Sequence, residues 1–493
     1  MTVVERNSVE AGAAQIMAPQ DQPPRYRALR IALLIAGPVL ALLAWHAVQP
    51  DDRLVPEAGR YYLTALIYDE YDLAAMAQRG LNAEIGRQPG ATSNAPWLRS
   101  SAFSLLVEAP RPLRPRYFLE YPHAALLIFR AGYWIQPHWR DVEMPPGLPD
   151  ARYHNIAEHN PETNDQFAAW RVFVVATQFY AGVMFVAWVL LIAVLEWGYT
   201  PELRGGALLL LLPGMAFFIL NRYDVLPALA TALAFAALGR RRPGWAGVAL
   251  GIAALLKVYP VLFAPLVVRY LWSDRRAAVR FAGAFAATGL LALLPLLEGT
   301  DWVGLWAPYK FQLTRPPEHG LTIYGCLVPV DLAEGTLGMV FRLTALAAFS
   351  GLMLLTPIRD LTSLLRRCAV VLIVFVTLAV FYSPQWIIWF APLLPPLVRR
   401  ERAIGVAAAV LDLINYLTFP VWWWVLPAVL EDNVSELAGE TILVQCGNAL
   451  RLARFICCAY LTWRLLRAEY PWRAWYAHLQ LRFRSVLFAK SSQ

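Results

Sequence analysis

Charge is scarce in this chain. Only 16% of its 493 residues are Asp, Glu, Lys or Arg, against 58% hydrophobic, and the mean hydropathy is +0.45. No soluble class fits that balance, which leaves an integral membrane protein. Cysteine is equally sparse. Cys326, Cys368, Cys446, Cys457 and Cys458 fall in no CxxC or metal-ligand spacing, so a disulfide framework and a zinc site are not indicated. The adjacent Cys457-Cys458 lies in an apolar run and reads as packing. HExxH, P-loop and Rossmann glycine patterns are all missing. Nucleotide binding therefore has no support, which disfavours a nucleotide-sugar donor, and no metal or cofactor is expected. The net charge of +8 does not point to nucleic acid, because the basic residues cluster between apolar runs and in the C-terminal tail, as topology demands.

What is present centres on residues 221–260. Two apolar runs, each about a membrane thickness or slightly less, flank the basic turn Arg240-Arg241-Arg242. Basic loops stay on the cytoplasmic side, so the far ends of both runs emerge on the opposite face. Those ends carry Arg222, Asp224 and Lys257, with Tyr259-Pro260 just beyond. A charge at the centre of a membrane helix costs about 2.5–3.5 kcal/mol even on the mild insertion scale. Charges at the rims of such short spans are expected to face a polar cavity or a partner.

Alternation of apolar runs and basic loops organises the rest. Residues 1–24 are polar and expected to be a disordered cytoplasmic segment. Arg25, Arg27 and Arg30 precede an apolar run over 31–48, readable as a cleaved signal peptide but better as an uncleaved signal-anchor. Residues 50–166 form a large outer loop with two aromatic-rich, semi-apolar pieces, 61–81 and 117–134, that suit interfacial helices. Further spans are expected over 167–196, 203–220, the two runs of 221–260, 261–272, 281–297, 337–356, 368–381, 387–398, 404–419 and 442–466. A second outer loop falls at 298–334, an aromatic outer loop at Trp422-Trp423-Trp424, and a basic amphipathic tail at 467–493. The total is an all-α polytopic protein of about twelve transmembrane helices, both termini inside.

Four outer clusters are candidates for chemistry. Tyr68-Asp69-Glu70-Tyr71-Asp72 places three carboxylates beside an interfacial helix, where apolar surroundings favour the acid form and tune a general base; a solvated helix cap is the plainer alternative. Glu120-Tyr121-Pro122-His123 opens the other interfacial helix, and Pro near a helix start is ordinary. At the rims, Arg222 and Lys257 are donors suited to phosphate oxygens; alternatively Asp224 pairs with one of them, or Lys257 snorkels. Lys310 and Arg315-Pro316-Pro317-Glu318-His319 gather two cations, an acid and an imidazole in one outer loop, either a polar loop or an anion-binding one. Tyr382-Ser383-Pro384-Gln385-Trp386 adds an uncharged aromatic–Gln patch suited to sugar or headgroup contact, or to an interface belt.

The order RYD, apolar run, basic turn, AGVALGIAALLKVYP and SPQWIIW resembles the GT-C superfamily of membrane glycosyltransferases. More narrowly it is similar to the polyprenol-phosphate-mannose-dependent α-mannosyltransferases, glycosyltransferase family 87. Phe118-Leu119-Glu120-Tyr121-Pro122 looks like that family's aromatic-x-x-Tyr-Pro-Pro segment, with His123 in place of the second proline. The resemblance implies a GT-C-like domain over 25–466, a polyprenyl-phosphate sugar donor, a lipid or glycan acceptor, and inverting transfer. It places the active site on the periplasmic or extracellular side of a cell membrane, a bacterial plasma membrane by expectation. It maps the catalytic base to Asp69, with Asp72 the alternative, and an outer-loop basic segment to Arg315 and His319. Arg222, Asp224, Lys257, Tyr259 and Gln385 become donor-binding candidates, with Glu120, Tyr121 and Glu318 beside them. A transporter or lipid flippase would favour midplane charges and inverted repeats, neither of which is evident; a lipid-linked glycan ligase is the other alternative.

Overall fold

The computed structural model describes residues 24–48, 122, 124–125, 127–128, 131, 166–297, 302, 305–306, 309, 322, 324, 335–433 and 436–469. Among them it is helical without a strand. The order is α1 (Pro24–Val48), α2 (Gln166–Ala193) continued by a π-turn Val194–Gly198, 3-10 turns Pro201–Leu203 and Ala207–Leu211, α3 (Pro213–Asn221), α4 (Val225–Gly239), α5 (Pro243–Leu256), a 3-10 turn Tyr259–Phe263 and α6 (Ala264–Tyr270). Then come α7 (Arg275–Gly289), 3-10 Leu290–Leu293, α8 (Leu294–Leu297), α9 (Gly335–Leu355), α10 (Leu361–Leu378), 3-10 turns Pro384–Phe390 and Pro395–Leu397, α11 (Arg402–Tyr416), a π-helical stretch Leu417–Val425, α12 (Leu426–Asn433) and α13 (Glu436–Glu469). Of the interfacial helix expected over 117–134, residues 122, 124, 125, 127, 128 and 131 are described, and all but Pro122 are helical. The interfacial piece expected over 61–81 lies outside the described residues.

Six helices among the described residues are long and apolar enough to cross a membrane. A seventh span arises if Pro201–Leu211 and Pro213–Asn221, which meet at 80°, count as one. The expectation of about twelve continuous crossings is therefore not reached by helices of span length. At one of the expected spans the break has a physical cause. The segment expected to span at 387–398 is two buried 3-10 stretches, because Pro384, Pro392, Pro395 and Pro396 supply no backbone N–H for an α ladder. Likewise, Trp422 and Trp423, expected in a loop, lie in the π-helical stretch Leu417–Val425.

Loops placed together by alternation do lie together. Arg30 pairs with Glu196, Arg240 donates to the Trp197 carbonyl, and Arg399 donates to the Pro201 carbonyl. Arg366 lies 2.6 Å from Glu401 and 3.1 Å from Glu469. Arg464 reaches Glu401, and Arg367 reaches Glu469. Arg367 also donates to the Met353, Thr356 and Pro357 carbonyls, and Arg269 to Leu354. Eight segments thus share one basic end. Cys457 and Cys458 are buried packing residues, Cys457 donating to the Ala407 carbonyl.

Helices α4 and α5 form a hairpin whose turn places Arg241 at φ 56°. With 15 and 14 residues they are about 21–22 Å long, shorter than a hydrocarbon core of about 30 Å. With the Arg240–Arg242 turn at one surface, their other ends stop inside the membrane thickness. Helix α5 packs on α7 through Gly247 and Gly251, a small-xxx-small face that lets backbones approach closely. A Cβ on Gly247 would stand 2.3 Å from the Phe281 carbonyl oxygen, and one on Gly251 2.7 Å from Thr288 Cβ.

Replacing Gly247 with Val is expected to destabilise the detergent-solubilised protein by about 1–3 kcal/mol, the usual cost of overpacking. Gly283→Ala, where an added Cβ meets nothing within 4 Å, should not lower the thermal midpoint and should raise it slightly, because Ala favours a helix interior over Gly by about 0.5–1 kcal/mol. Thermal unfolding of the two variants side by side checks this.

Candidate functional site

The far ends of α4 and α5 meet through one ion pair. Lys257 Nζ lies 2.8 Å from Asp224 Oδ1; the Asp224 side chain is fully buried and that of Lys257 is 17% exposed. Trp389 Nε1 donates to the same oxygen at 2.5 Å. The Lys257 ammonium also sits over the Tyr223 ring, 4.7 Å from its centroid, and 5.5 Å from that of Trp389, where the ring quadrupoles favour a cation.

Each partner is delivered by a helix end. Asp412 of α11 accepts from the backbone N–H groups of Gly214 and Met215 at 2.9 and 2.6 Å. It thereby satisfies orphan donors at the start of α3 and sets negative charge on that helix's positive end. Anchored there, α3 ends at Asn221, and Arg222 takes an extended conformation at its C-cap, so Tyr223 and Asp224 turn inward. Lys257 is extended at the C-cap of α5. Asp224 occupies the N-cap position of α4 yet makes no cap hydrogen bond. Asp274 and Asp360, at the same position of α7 and α10, both accept from the backbone as N-caps do. The Asp224 carboxylate is thus turned away from its own helix and toward Lys257 and Trp389.

The wall of the site is aromatic. In a 3-10 helix, residues i and i+3 eclipse, so Trp386 and Trp389 stack, with centroids 4.6 Å apart and planes at 20°. Tyr259 stacks on the other side of Trp389 at 4.4 Å and 9°, and Phe375 flanks both indoles. The two rim segments and the SPQWIIW segment expected from the sequence are therefore brought together. Trp386 belongs to the aromatic–Gln patch expected from the sequence, whereas Trp389 and Tyr223 are not among the candidates; the W-x-x-W spacing, once assigned to a 3-10 helix, is the signal that finds Trp389.

Asp224 Oδ2 is the one buried carboxylate oxygen among the described residues without a hydrogen-bond partner. By contrast, both oxygens of Glu196, Glu401, Glu469 and Asp412 are engaged. Gln385 Oε1 is likewise buried and unpartnered, and the Tyr259 hydroxyl, which faces Thr231, makes no hydrogen bond of ordinary geometry. Unsatisfied buried acceptors are rare, and an ordered water, an ion, stored strain or a catalytic role is the usual explanation. Arg222 is half-buried two residues from Asp224. Asp69, Asp72, Glu120, Tyr121, Arg315, Glu318 and His319 lie outside the described residues.

Residues 164–384 match the model of glycosyltransferase family 87, the family that the sequence resembles, and the match indicates a membrane glycosyltransferase. It spans Arg222, Asp224, Lys257 and Tyr259; Gln385, Trp386 and Trp389 follow its last residue, as do α11–α13. No curated protein matches the chain.

Removing one member of a buried ion pair leaves an uncompensated charge, at a cost of about 3–5 kcal/mol. Lys257→Met should approach that figure, because Asp224 has no exposure of its own; Asp224→Asn should cost less, because Lys257 keeps 17% exposure. The double variant should be more stable than Lys257→Met alone, and denaturant midpoints of the three will show whether the two sites couple.

Proposed function

We propose, with the match to glycosyltransferase family 87 as premise, that the protein transfers a hexose, mannose by preference, from a polyprenyl-phosphate donor to a lipid or glycan acceptor with inversion. The observation that carries the reading is the Asp224–Lys257 pair in its aromatic box, with a buried carboxylate oxygen still open. Basic residues gather at the opposite end of the bundle, which by the positive-inside rule supports the reading that the pair works on the non-cytoplasmic side, in our proposal that of a bacterial plasma membrane.

Lys257 has three N–H donors, one of which goes to Asp224. The others, with Arg222 and the outer-loop Arg315 and His319, suit the oxygens of a donor phosphate. Asp224 holds the ammonium in place, so the cation needs no reorganisation when charge develops on the leaving phosphate. Such preorganised stabilisation in a water-poor site is often the largest catalytic term. Asp224 Oδ2 and Gln385 Oε1 are acceptors, and hydroxyl groups of a neutral sugar are the donors that complete them. Asp69, with Asp72 as alternative, takes the proton of the acceptor hydroxyl as its oxygen attacks the anomeric carbon. The bond from that carbon to the phosphate oxygen breaks on the opposite face, and the electron pair leaves with the phosphate. Because phosphate departs as a stable anion, one base suffices where glycoside hydrolases use two carboxylates.

The test is reconstitution of the full chain in proteoliposomes with radiolabelled polyprenyl-phosphate mannose and a lipid acceptor. Covalent transfer of label is expected. Asp69→Asn should lower it by about 10²–10⁴-fold, the range of a general base, without changing membrane insertion. Full activity in Asp69→Asn and loss in Asp72→Asn would exchange the two roles. Label that crosses the membrane without forming a new glycosidic bond would favour a transporter or flippase instead.

A further inference from the structure

The basic end of the bundle is not neutralised evenly. Arg30, Arg366, Arg367 and Arg464 each face a glutamate. Arg275, Arg276 and Arg280, on the first turns of α7, are all exposed, and their side chains make no ion pair or hydrogen bond among the described residues. Asp274 is the acid beside them, and its carboxylate accepts from the Ala277 N–H as the N-cap of α7. Arg276 and Arg280 are four residues apart and share a face, where like charges repel. Topology asks for cations in the loop before a span, yet Arg280 is the sixth residue of the helix itself, about 7.5 Å along it from Arg275. The repulsion falls when an anion sits against the pair.

The surroundings of these arginines are those of a membrane interface. Trp272, 57% exposed, precedes α7, and Val279, 70% exposed, lies between the arginines. Gly247 faces Phe281 and Gly251 faces Thr288, so α5 and α7 run parallel and both start at this end. The exposed Arg240–Arg242 turn and Trp245 of α5 therefore flank the same stretch. Indoles favour headgroup depth, and an arginine stem can lie along apolar surface while its guanidinium stays at the interface. Beyond Arg280 the exposed face of α7 carries Ala282, Gly283, Ala286 and Ala287, and a Cβ added to Gly283 meets nothing within 4 Å. One helix face thus offers positive charge at headgroup depth and a shallow apolar strip below it. Small residues also let another helix approach, so a second copy of the chain is the rival occupant. A two-fold axis along the membrane normal would set the three arginines against their own counterparts, and the charges would oppose that contact. A lipid with net negative charge relieves them instead.

We propose that this face of α7 binds an anionic phospholipid from the leaflet that the basic end meets. Arg276 and Arg280 hold the phosphate with their guanidinium forks, which match its oxygens. Arg275 adds charge beside them, and one tail lies along Gly283 and Ala287. The proposal concerns binding and stands apart from the transfer reaction, so failure of either leaves the other intact.

Native mass spectrometry of the full chain in detergent, titrated with dioleoyl phosphatidylglycerol or dioleoyl phosphatidylcholine, tests it. The two lipids share tails and a phosphate and differ in net charge. The first phosphatidylglycerol is expected to bind about tenfold more tightly than the first phosphatidylcholine, since each arginine near an anionic headgroup contributes about fivefold. Arg275→Gln, Arg276→Gln and Arg280→Gln together should bring that preference below about twofold. Arg359→Gln, Arg400→Gln and Arg402→Gln together remove the same charge from other exposed positions and should leave the preference in place. Equal loss in the two triple variants would mean a diffuse basic surface and overturns the site. Phosphatidylglycerol with a photoreactive tail, crosslinked to the wild-type chain and mapped by peptide, should label α7 between Val279 and Gly289. That measurement covers the case in which the first triple variant does not fold. Label confined to other helices, equal binding of the two lipids by the wild type, or a dimer that the α7 variant dissolves overturns the proposal.

Discussion

Everything at the candidate site depends on keeping one charge pair inside the membrane thickness. Bringing Asp224 and Lys257 out of water costs several kcal/mol per ion, and their attraction returns this only if geometry and further hydrogen bonds are good. The chain meets that requirement with backbone. Two helix ends present the partners, an indole N–H supplies a second donor to Asp224 Oδ1, and two aromatic faces sit beneath the ammonium. None of these groups is adjacent in sequence to all the others, so the pair exists only when α3, α4, α5 and the 3-10 helix Pro384–Phe390 are assembled together.

That assembly explains why several crossings are short or broken. A full-length α4–α5 hairpin would carry Asp224 and Lys257 to the membrane surface, where water would weaken the pair. The observed hairpin stops short and leaves room for α3 and Pro384–Phe390 to reach the same depth. Broken backbone at membrane depth is tolerated where protein buries it or where it lines a cavity, and every residue of Pro384–Phe390 is buried. The freed polar groups find partners. Asp412 serves the start of α3, and the Pro392 carbonyl accepts from the Tyr199 hydroxyl at 2.8 Å. The irregular half of the bundle is thus held by side-chain hydrogen bonds, while the basic end is held by ion pairs that tie α10, α11 and α13 together.

Much of this is legible in the sequence, and the remainder fails for identifiable reasons. Hydropathy and basic turns place most helices, because both act over many residues. The same signals do not tell a continuous helix from a broken one, because an apolar run rich in proline, such as 384–398, has the hydropathy of a helix without its hydrogen bonds. At the site, RYD and KVYP stand out because a charge beside an apolar run is rare. Whether Asp224 pairs with Arg222, with Lys257 or with neither is a question of φ and ψ at two helix ends, and residue spacing does not contain the answer. Trp389 stays hidden because a Trp in an apolar run looks like packing. Its role appears only when the 3-10 geometry turns its indole N–H toward a carboxylate some 165 residues away in sequence.

The behaviour of the aspartates then separates structure from function without appeal to any relative. Asp274 and Asp360 do what their position at a helix start predicts, and Asp412 does it in trans for α3. All three satisfy backbone donors, and a lone Asp beside an apolar run is worth about 0.5–2 kcal/mol in that role. Asp224 holds an equivalent position and forgoes that stabilisation. It accepts burial, takes a lysine and a tryptophan on one oxygen, and leaves the other open. A residue that departs from the local rule and gains no evident folding advantage is where a functional constraint is expected. That departure is the ground for proposing that a substrate hydroxyl completes the open oxygen, with the aromatic box around it keeping water from completing it first.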